Sequence, residues 1–173
     1  PSAISFSARL PTAQQVALAE DKNLDMVFAN NKKWVAAQID RDPEFFDRLG
    51  SGQTPKILWI GCADSRVPAA TVTGLDPGDV FVVRNVANQV FGNDLSVQGA
   101  IQFGVEALGI PHIVVCGHYA CGGVAASMAH VDHAAPLSLW IRRIRDIQRI
   151  HRAELDAIPD ETARQRRLVD IDH

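Results

Sequence analysis

Five side chains in this sequence could share one piece of chemistry. Cys62, Asp64 and Arg66 lie in Gly61-Cys-Ala-Asp-Ser-Arg66, and His118 and Cys121 lie in Cys116-Gly-His-Tyr-Ala-Cys-Gly-Gly123. Thiolate and imidazole are preferred ligands of zinc, and two cysteines with one histidine suit a tetrahedral ion. Three protein ligands leave a fourth position open. A structural zinc site would close it, commonly with paired C-x-x-C units, and the sequence has none. Asp64 follows the first cysteine by two residues, where a carboxylate can accept a hydrogen bond from water at the metal. Arg66 can hold that carboxylate bidentately, ionised and aimed. The plain alternative for an Asp-x-Arg pair is a surface ion pair. Gly122 and Gly123 permit close backbone approach at what reads as a helix N-terminus, whose free N–H groups suit an anion. The remaining thiol, Cys116, ends an apolar run and reads as a small buried hydrophobe.

These residues need elements to bring them together. Lys56-Ile-Leu-Trp-Ile-Gly61 follows a proline and reads as a buried strand that delivers Cys62. Leu75-Asp-Pro-Gly78 is a turn leading into Asp79-Val-Phe-Val-Val83, a second strand rich in β-branched residues. Ser96 to Leu108 reads as a helix, with Ser96 as N-cap and Gly109 and Pro111 as the stop. His112-Ile-Val-Val-Cys116 is a third strand, delivering His118 and Cys121. Upstream, Val27, Phe28, Val35 and Ile39 share a helical face from Leu24 onward, with Trp34 beside them, and Glu44 to Leu49 forms a short second segment. Downstream, Leu137, Trp140, Ile141, Ile144, Ile147 and Ile150 recur at three and four, the pattern of an amphipathic helix. Strands alternating with helices, each strand apolar on both faces, give an α/β fold: a parallel sheet flanked by helices, with an N-terminal helical arm. Ligands in such sheets bind beyond the carboxyl ends of the strands, where both motifs lie.

Composition sets the bounds. The 173 residues suit a single domain over residues 1–173, and 47% hydrophobic content can offset the entropy of ordering the chain. Seventeen basic against twenty acidic residues give a net charge of −3, so no global field favours nucleic acid. Three cysteines are too few for a disulfide scaffold. Eight arginines fall between Arg142 and Arg167, but the acids among them mark a solvated helix face with local ion pairs. His130, Asp132 and His133 make a second metal-like group that reads as a solvated loop. The first nineteen residues carry three serines, Arg9 and no acid, which suits the tail of a mitochondrial transit peptide or a solvated arm. No apolar run approaches the roughly 18 residues of a membrane span. The expectation is a soluble protein of the cytoplasm or mitochondrial matrix, with no membrane partner.

Together, Cys62-x-Asp64-x-Arg66 and His118-x-x-Cys121 resemble the zinc signature of the β-class carbonic anhydrases. The likeness extends from about Asn23 through Asp42-Pro-Glu-Phe-Phe46, Leu58 to Pro68 and Arg84-Asn-Val-Ala-Asn88 to Gly123 and Trp140. The resemblance implies reversible hydration of carbon dioxide to bicarbonate and a proton, on one zinc per chain held by Cys62, His118 and Cys121. It implies Asp64 and Arg66 as the catalytic dyad, with Gln53 and the Gly122 N–H as donors to substrate. It also implies a homodimer or higher homo-oligomer whose partner helps wall the active site, and a closed state in which the aspartate moves onto zinc.

Some features depart from the family. Its bicarbonate site of Trp, Arg and Tyr is matched by Trp59 and Arg84, with Phe103 at the position taken for the tyrosine. The resemblance also implies a further strand carrying a His-Gly-Trp stretch, and terminal helices, after Leu168-Val-Asp-Ile-Asp-His173; either they lie beyond these residues or the sheet is one element short. Two other readings use the same residues: hydrolysis of carbon disulfide or a related linear heteroallene, and a non-catalytic zinc-stabilised binding module. The module needs a fourth ligand or a disabled dyad. Thiol–disulfide exchange is disfavoured, because no C-x-x-C is present.

Overall fold

The computed structural model describes residues 22–131 and 133–172, so the serine-bearing first nineteen residues and Asp132 of the second histidine group lie outside the described residues. The chain divides into two compact units, residues 1–51 and 52–173. In the first, helix α1 (Lys22–Arg41) is followed by α2 (Phe45–Gly50). Their junction is aromatic: the Trp34 ring meets Phe45 and Phe46 edge-on, with centroids 6.1 and 5.9 Å away. Asp42 ties the turn, accepting from the Glu44 amide at 3.1 Å and pairing with Arg48 at 2.5 Å. Both helices fall where the apolar spacing predicts them.

The second unit holds a parallel sheet of β1 (Ile57–Cys62), β2 (Val80–Asn85) and β3 (Ile113–Cys116), in the order β2-β1-β3. The three strands match the three apolar runs. Leu58 pairs in register with Phe81 and Ile113, and Gly61 with Arg84 and Cys116. Helix α3 (Ala69–Thr73) lies between β1 and β2, and α4 (Leu95–Gln102) runs through a π turn (Phe103–Ala107) before β3. Helices α5 (Gly122–Met128), α6 (Leu137–Trp140), α7 (Arg142–Ile150), α8 (Arg152–Asp156) and α9 (Glu161–Asp172) complete the unit.

The helices flank the sheet unevenly. Central β1 is buried almost throughout, whereas Val82, Ile113 and Val115 are 44%, 46% and 43% exposed. With three strands among the described residues, two are edges, and their alternate side chains reach past the helical cover.

Two clusters form the core. One lies on the α4 side of the sheet, with Leu58, Ile60, Val97 and Ile110 packed against Phe81 and Val83. Gly104 lets the π turn settle on it, since a Cβ there would come within 2.7 Å of Leu58 Cδ1. The other joins Cys62, Ala87 and Cys121 to Val124, Ile144, Leu155, Leu168 and Val169 of the C-terminal helices.

Two local elements differ from the sequence expectation. The α4 cap is Asp94, whose carboxylate accepts from the Ser96 and Val97 amides at 3.0 and 3.5 Å, so Ser96 is inside the helix. Either residue type suits an N-cap, and the aspartate two positions earlier reaches both amides. The helix expected across Leu137 to Ile150 is interrupted at Ile141, although Ile141 N→Leu137 O (3.0 Å) and Arg145 N→Ile141 O (3.1 Å) continue on either side. The interruption coincides with Trp140, whose Nε1 donates to Val86 O at 2.7 Å and whose ring lies 5.0 Å from Phe91. The arginine-rich stretch behaves as expected, with Arg149–Asp146 at 2.6 Å and Arg167–Glu154 at 2.5 Å.

Candidate metal centre

The C-terminal ends of β1 and β3 deliver the three sequence-predicted ligands to one place. The ligand atoms of Cys62, His118 and Cys121 lie within 4.8 Å of one another, and the two Sγ atoms are 3.9 Å apart. Two sulfurs each about 2.3 Å from one tetrahedral zinc lie roughly 3.8 Å apart, so the pair is spaced for a shared ion. His118 Nε2 is buried and has no hydrogen-bond partner, while Nδ1 faces Tyr119 O at 3.0 Å. A ring with one nitrogen held by a carbonyl and the other left bare inside the protein is set to ligate through the bare nitrogen. The donor set therefore fits a metal ion.

Charge at the cluster follows the same logic. The Cys62 thiol is pulled far down, first by the hydrogen bond from Cys121 and then by the Asp64 amide, His118 and the Ala87 amide. The Cys121 thiol is pushed up by the same contact and by burial. The pair gives up its first proton readily and holds the second. A dication between the sulfurs would relieve their mutual repulsion and favour two thiolates.

Around this cluster the backbone is fixed. Asp64 N and Ala87 N each approach Cys62 Sγ at 3.4 Å. Ala87 achieves this at φ 61°, in the left-handed region, at a cost of about 1 kcal/mol. Gly123 makes the neighbouring space: a Cβ there would meet Val86 Cγ1 at 2.7 Å and Ala87 Cβ at 3.0 Å. Arg84 clamps the end of β1, donating to Cys62 O at 2.8 Å and, by a short bond, to Asp64 O. Sequence reasoning had Arg84 in a different role. A backbone amide such as that of Ala87 carries no residue-type signal at all.

The dyad is formed. Arg66 Nε and one terminal nitrogen reach the two Asp64 oxygens at 2.8 and 2.7 Å, and the Arg66 amide adds a bond of 2.9 Å. These bonds hold the Asp64 carboxyl far below the usual range, so it stays ionised. The same guanidinium donates to Ala120 O at 3.1 Å, tying the dyad to the loop between His118 and Cys121. Asp64 Oδ2 stands 3.7 Å from His118 Nε2.

Other predicted residues fall outside this group. Cys116 Sγ donates to Gly117 O at 3.4 Å, and burial pushes its thiol up, as suits the non-ligand reading. Gly122 opens α5 directly after Cys121 and is exposed. Gln53 is exposed ahead of β1; the five steps from Ile57 to Cys62, at about 3.3 Å each, put roughly 16 Å between that end of the strand and Cys62. The trio of Trp59, Arg84 and Phe103 is not assembled. Phe103 packs against Phe81, 6.0 Å between centroids, while Trp59 and Arg84 register with Val82 and Gly61 on the opposite sheet face. His133 Nε2 is 3.2 Å from Ala126 O, a local contact consistent with a structural loop residue.

Comparison with known proteins gives a consistent result. A family described as carbonic anhydrase matches residues 57–172. A carbonic anhydrase of Emericella nidulans is 51% identical over 147 residues, covering 85% of this chain and 64% of the relative. One from Candida albicans is 43% identical over 123 residues, covering 70% of this chain and 43% of the relative. The matched part of the chain thus spans 64% and 43% of these two relatives. Among solved structures, a tetrameric β-carbonic anhydrase of Sordaria macrospora superimposes with a TM-score of 0.84 at 39% identity, over 87% of this chain and 76% of that one. A β-carbonic anhydrase of Aspergillus fumigatus gives 0.83 at 40% identity, over 87% and 71%.

Proposed function

The chain belongs to the β-class carbonic anhydrases, and on that premise we propose that it hydrates carbon dioxide reversibly to bicarbonate and a proton, with zinc as the metal. The observation that carries this reading is a single one. His118 Nε2, bare and buried, faces two cysteine sulfurs 3.9 Å apart, beside an Asp64 carboxylate gripped by Arg66. Cys62, His118 and Cys121 would hold the ion, whose chemistry is to acidify water so that hydroxide is available near neutrality.

The chain's own residues do the rest. Asp64, kept ionised by Arg66, accepts a hydrogen bond from the attacking oxygen and leaves its lone pair directed at carbon. Arg66 also bonds Ala120 O, so the orienting carboxylate and the ligand loop move as one piece. The Gly122 N–H, first in α5, is offered to the product oxygen. Gln53 stands a strand length from the cysteine of its own chain, so its role as the second donor is across a subunit boundary. This supports the reading of the active assembly as a homodimer or larger homo-oligomer. Among the described residues no helix is long and apolar enough to cross a membrane, and the compartment we propose is an aqueous one, cytoplasm or mitochondrial matrix.

The test is stopped-flow hydration of carbon dioxide by the full chain, with zinc quantified, alongside Asp64→Asn. The wild type should exceed the buffer rate, and the variant should lose about 10²-fold or more at unchanged zinc content. Full zinc occupancy with no rate above buffer would sink the proposal and leave a zinc-stabilised binding module.

A further inference from the structure

We infer that α9 positions the metal loop from outside, with Gln165 and the Tyr119–Asp170 pair as positioning residues for Cys121 and His118; this rests on the zinc reading above. Residues 118–121 have no strand or helix ladder of their own, and Ala120 sits at φ 55°. What fixes them must come from neighbours. On one side Arg66 holds Ala120 O at 3.1 Å. On the other side three residues of α9 reach the loop. Gln165 Nε2 donates to Cys121 O at 3.2 Å, Tyr119 Oη donates to Asp170 Oδ1 at 3.1 Å, and the Arg166 guanidinium lies over the Tyr119 ring, 5.4 Å from its centroid.

At about 100° per residue these three α9 positions fall within an arc of about 140°, and Val169, buried in the cysteine-containing cluster, lies on the same arc. One face of α9 therefore serves both the core and the loop. The link to the ligands is direct. Tyr119 O is the acceptor facing His118 Nδ1 at 3.0 Å, so the setting of the Tyr119 peptide decides which ring nitrogen stays bare. Gln165 holds the carbonyl of a ligand residue itself. A loop released from α9 would let the imidazole turn and Cys121 shift.

The experiment measures how fast the zinc-loaded full chain passes its metal to an excess of a chromophoric chelator. Gln165→Leu and Tyr119→Phe should each speed release by about 3- to 10-fold, less than the 10–100-fold of a partner bonded directly to a ligand side chain. The double variant should exceed either, and Gln165→Lys, which keeps an N–H donor, should return toward wild type. Arg167→Ala is the control. It breaks the 2.5 Å ion pair of α9 with Glu154, away from the loop, and should leave release unchanged. Equal rates for all variants would overturn the inference, as would equal acceleration by Arg167→Ala, which would reduce α9 to general scaffolding. A wild-type chain that takes up no zinc would overturn the metal assignment itself, and this inference with it.

Discussion

The two core clusters of the larger unit differ in kind. The cluster beneath α4 is aliphatic and aromatic, with no metal-type donor among its members. The cluster beneath α7, α8 and α9 contains both cysteines of the proposed metal site, with Leu155, Leu168 and Val169 packed around them. In the first, a substitution costs stability alone. In the second, stability and chemistry draw on the same atoms, because the sulfurs that would hold the metal are also buried core. Without a dication, two thiols 3.9 Å apart must share a buried space with one proton too many or one charge too many. On the proposed assignment, metal binding there would be folding energy for the C-terminal helices.

The sharpest way to break this comparison is one deletion in each cluster. Cys121→Ser should abolish zinc retention and lower hydration by about three orders of magnitude or more. Leu58→Ala, on the other side, should cost about 2–5 kcal/mol in a denaturant melt and keep its zinc. If Leu58→Ala emptied the site as well, the clusters would be one cooperative unit.

Two glycines sharpen the contrast at smaller scale. Gly104→Ala pushes a methyl toward Leu58, and Gly123→Ala pushes one toward Val86 and Ala87. Each should lose about 1–3 kcal/mol from overpacking. Equilibrium zinc competition should separate them: only Gly123→Ala, next to the turn whose Ala87 amide faces Cys62 Sγ, should weaken metal binding.

The smallest effect lies at the rim of the second cluster. Glu154 is held below its ordinary value, first by its bond from Arg167. Its folded value lies below the unfolded one near about 4.3, so the pair's contribution is complete above that pH and is lost as acid protonates the folded carboxylate. The melting-temperature gap between wild type and Glu154→Gln should be slight at neutral pH, since the pair is exposed, and close on acidification from about pH 4.5 to 3. A gap that widened instead would reverse the assignment.

Residue type and spacing carried the ligand triple, the dyad and the three strands, because metal donors and apolar runs leave direct marks. The marks were weaker where tertiary contacts decide. The arginines of α9 mark a solvated helix face, but its buried side rests on Leu168 and Val169 alone, too short an apolar signal to show that it packs on the cysteine cluster. Arg84 was read as an anion ligand, although its reach to two carbonyls of the β1 end depends on parallel register, which no local pattern shows. Phe103 looked like a partner of Trp59 until the sheet put them on opposite faces. The two edge strands were apolar enough to look buried.

One consequence of the length of β1 concerns concentration. On the proposed assignment of Gln53, a chain carries the metal end of its own site and the donor end of another's. Catalytic competence then belongs to the pair, and by mass action it would fade on dilution below the dissociation constant. A protomer alone, however well folded and however fully loaded with zinc, would be half of two enzymes.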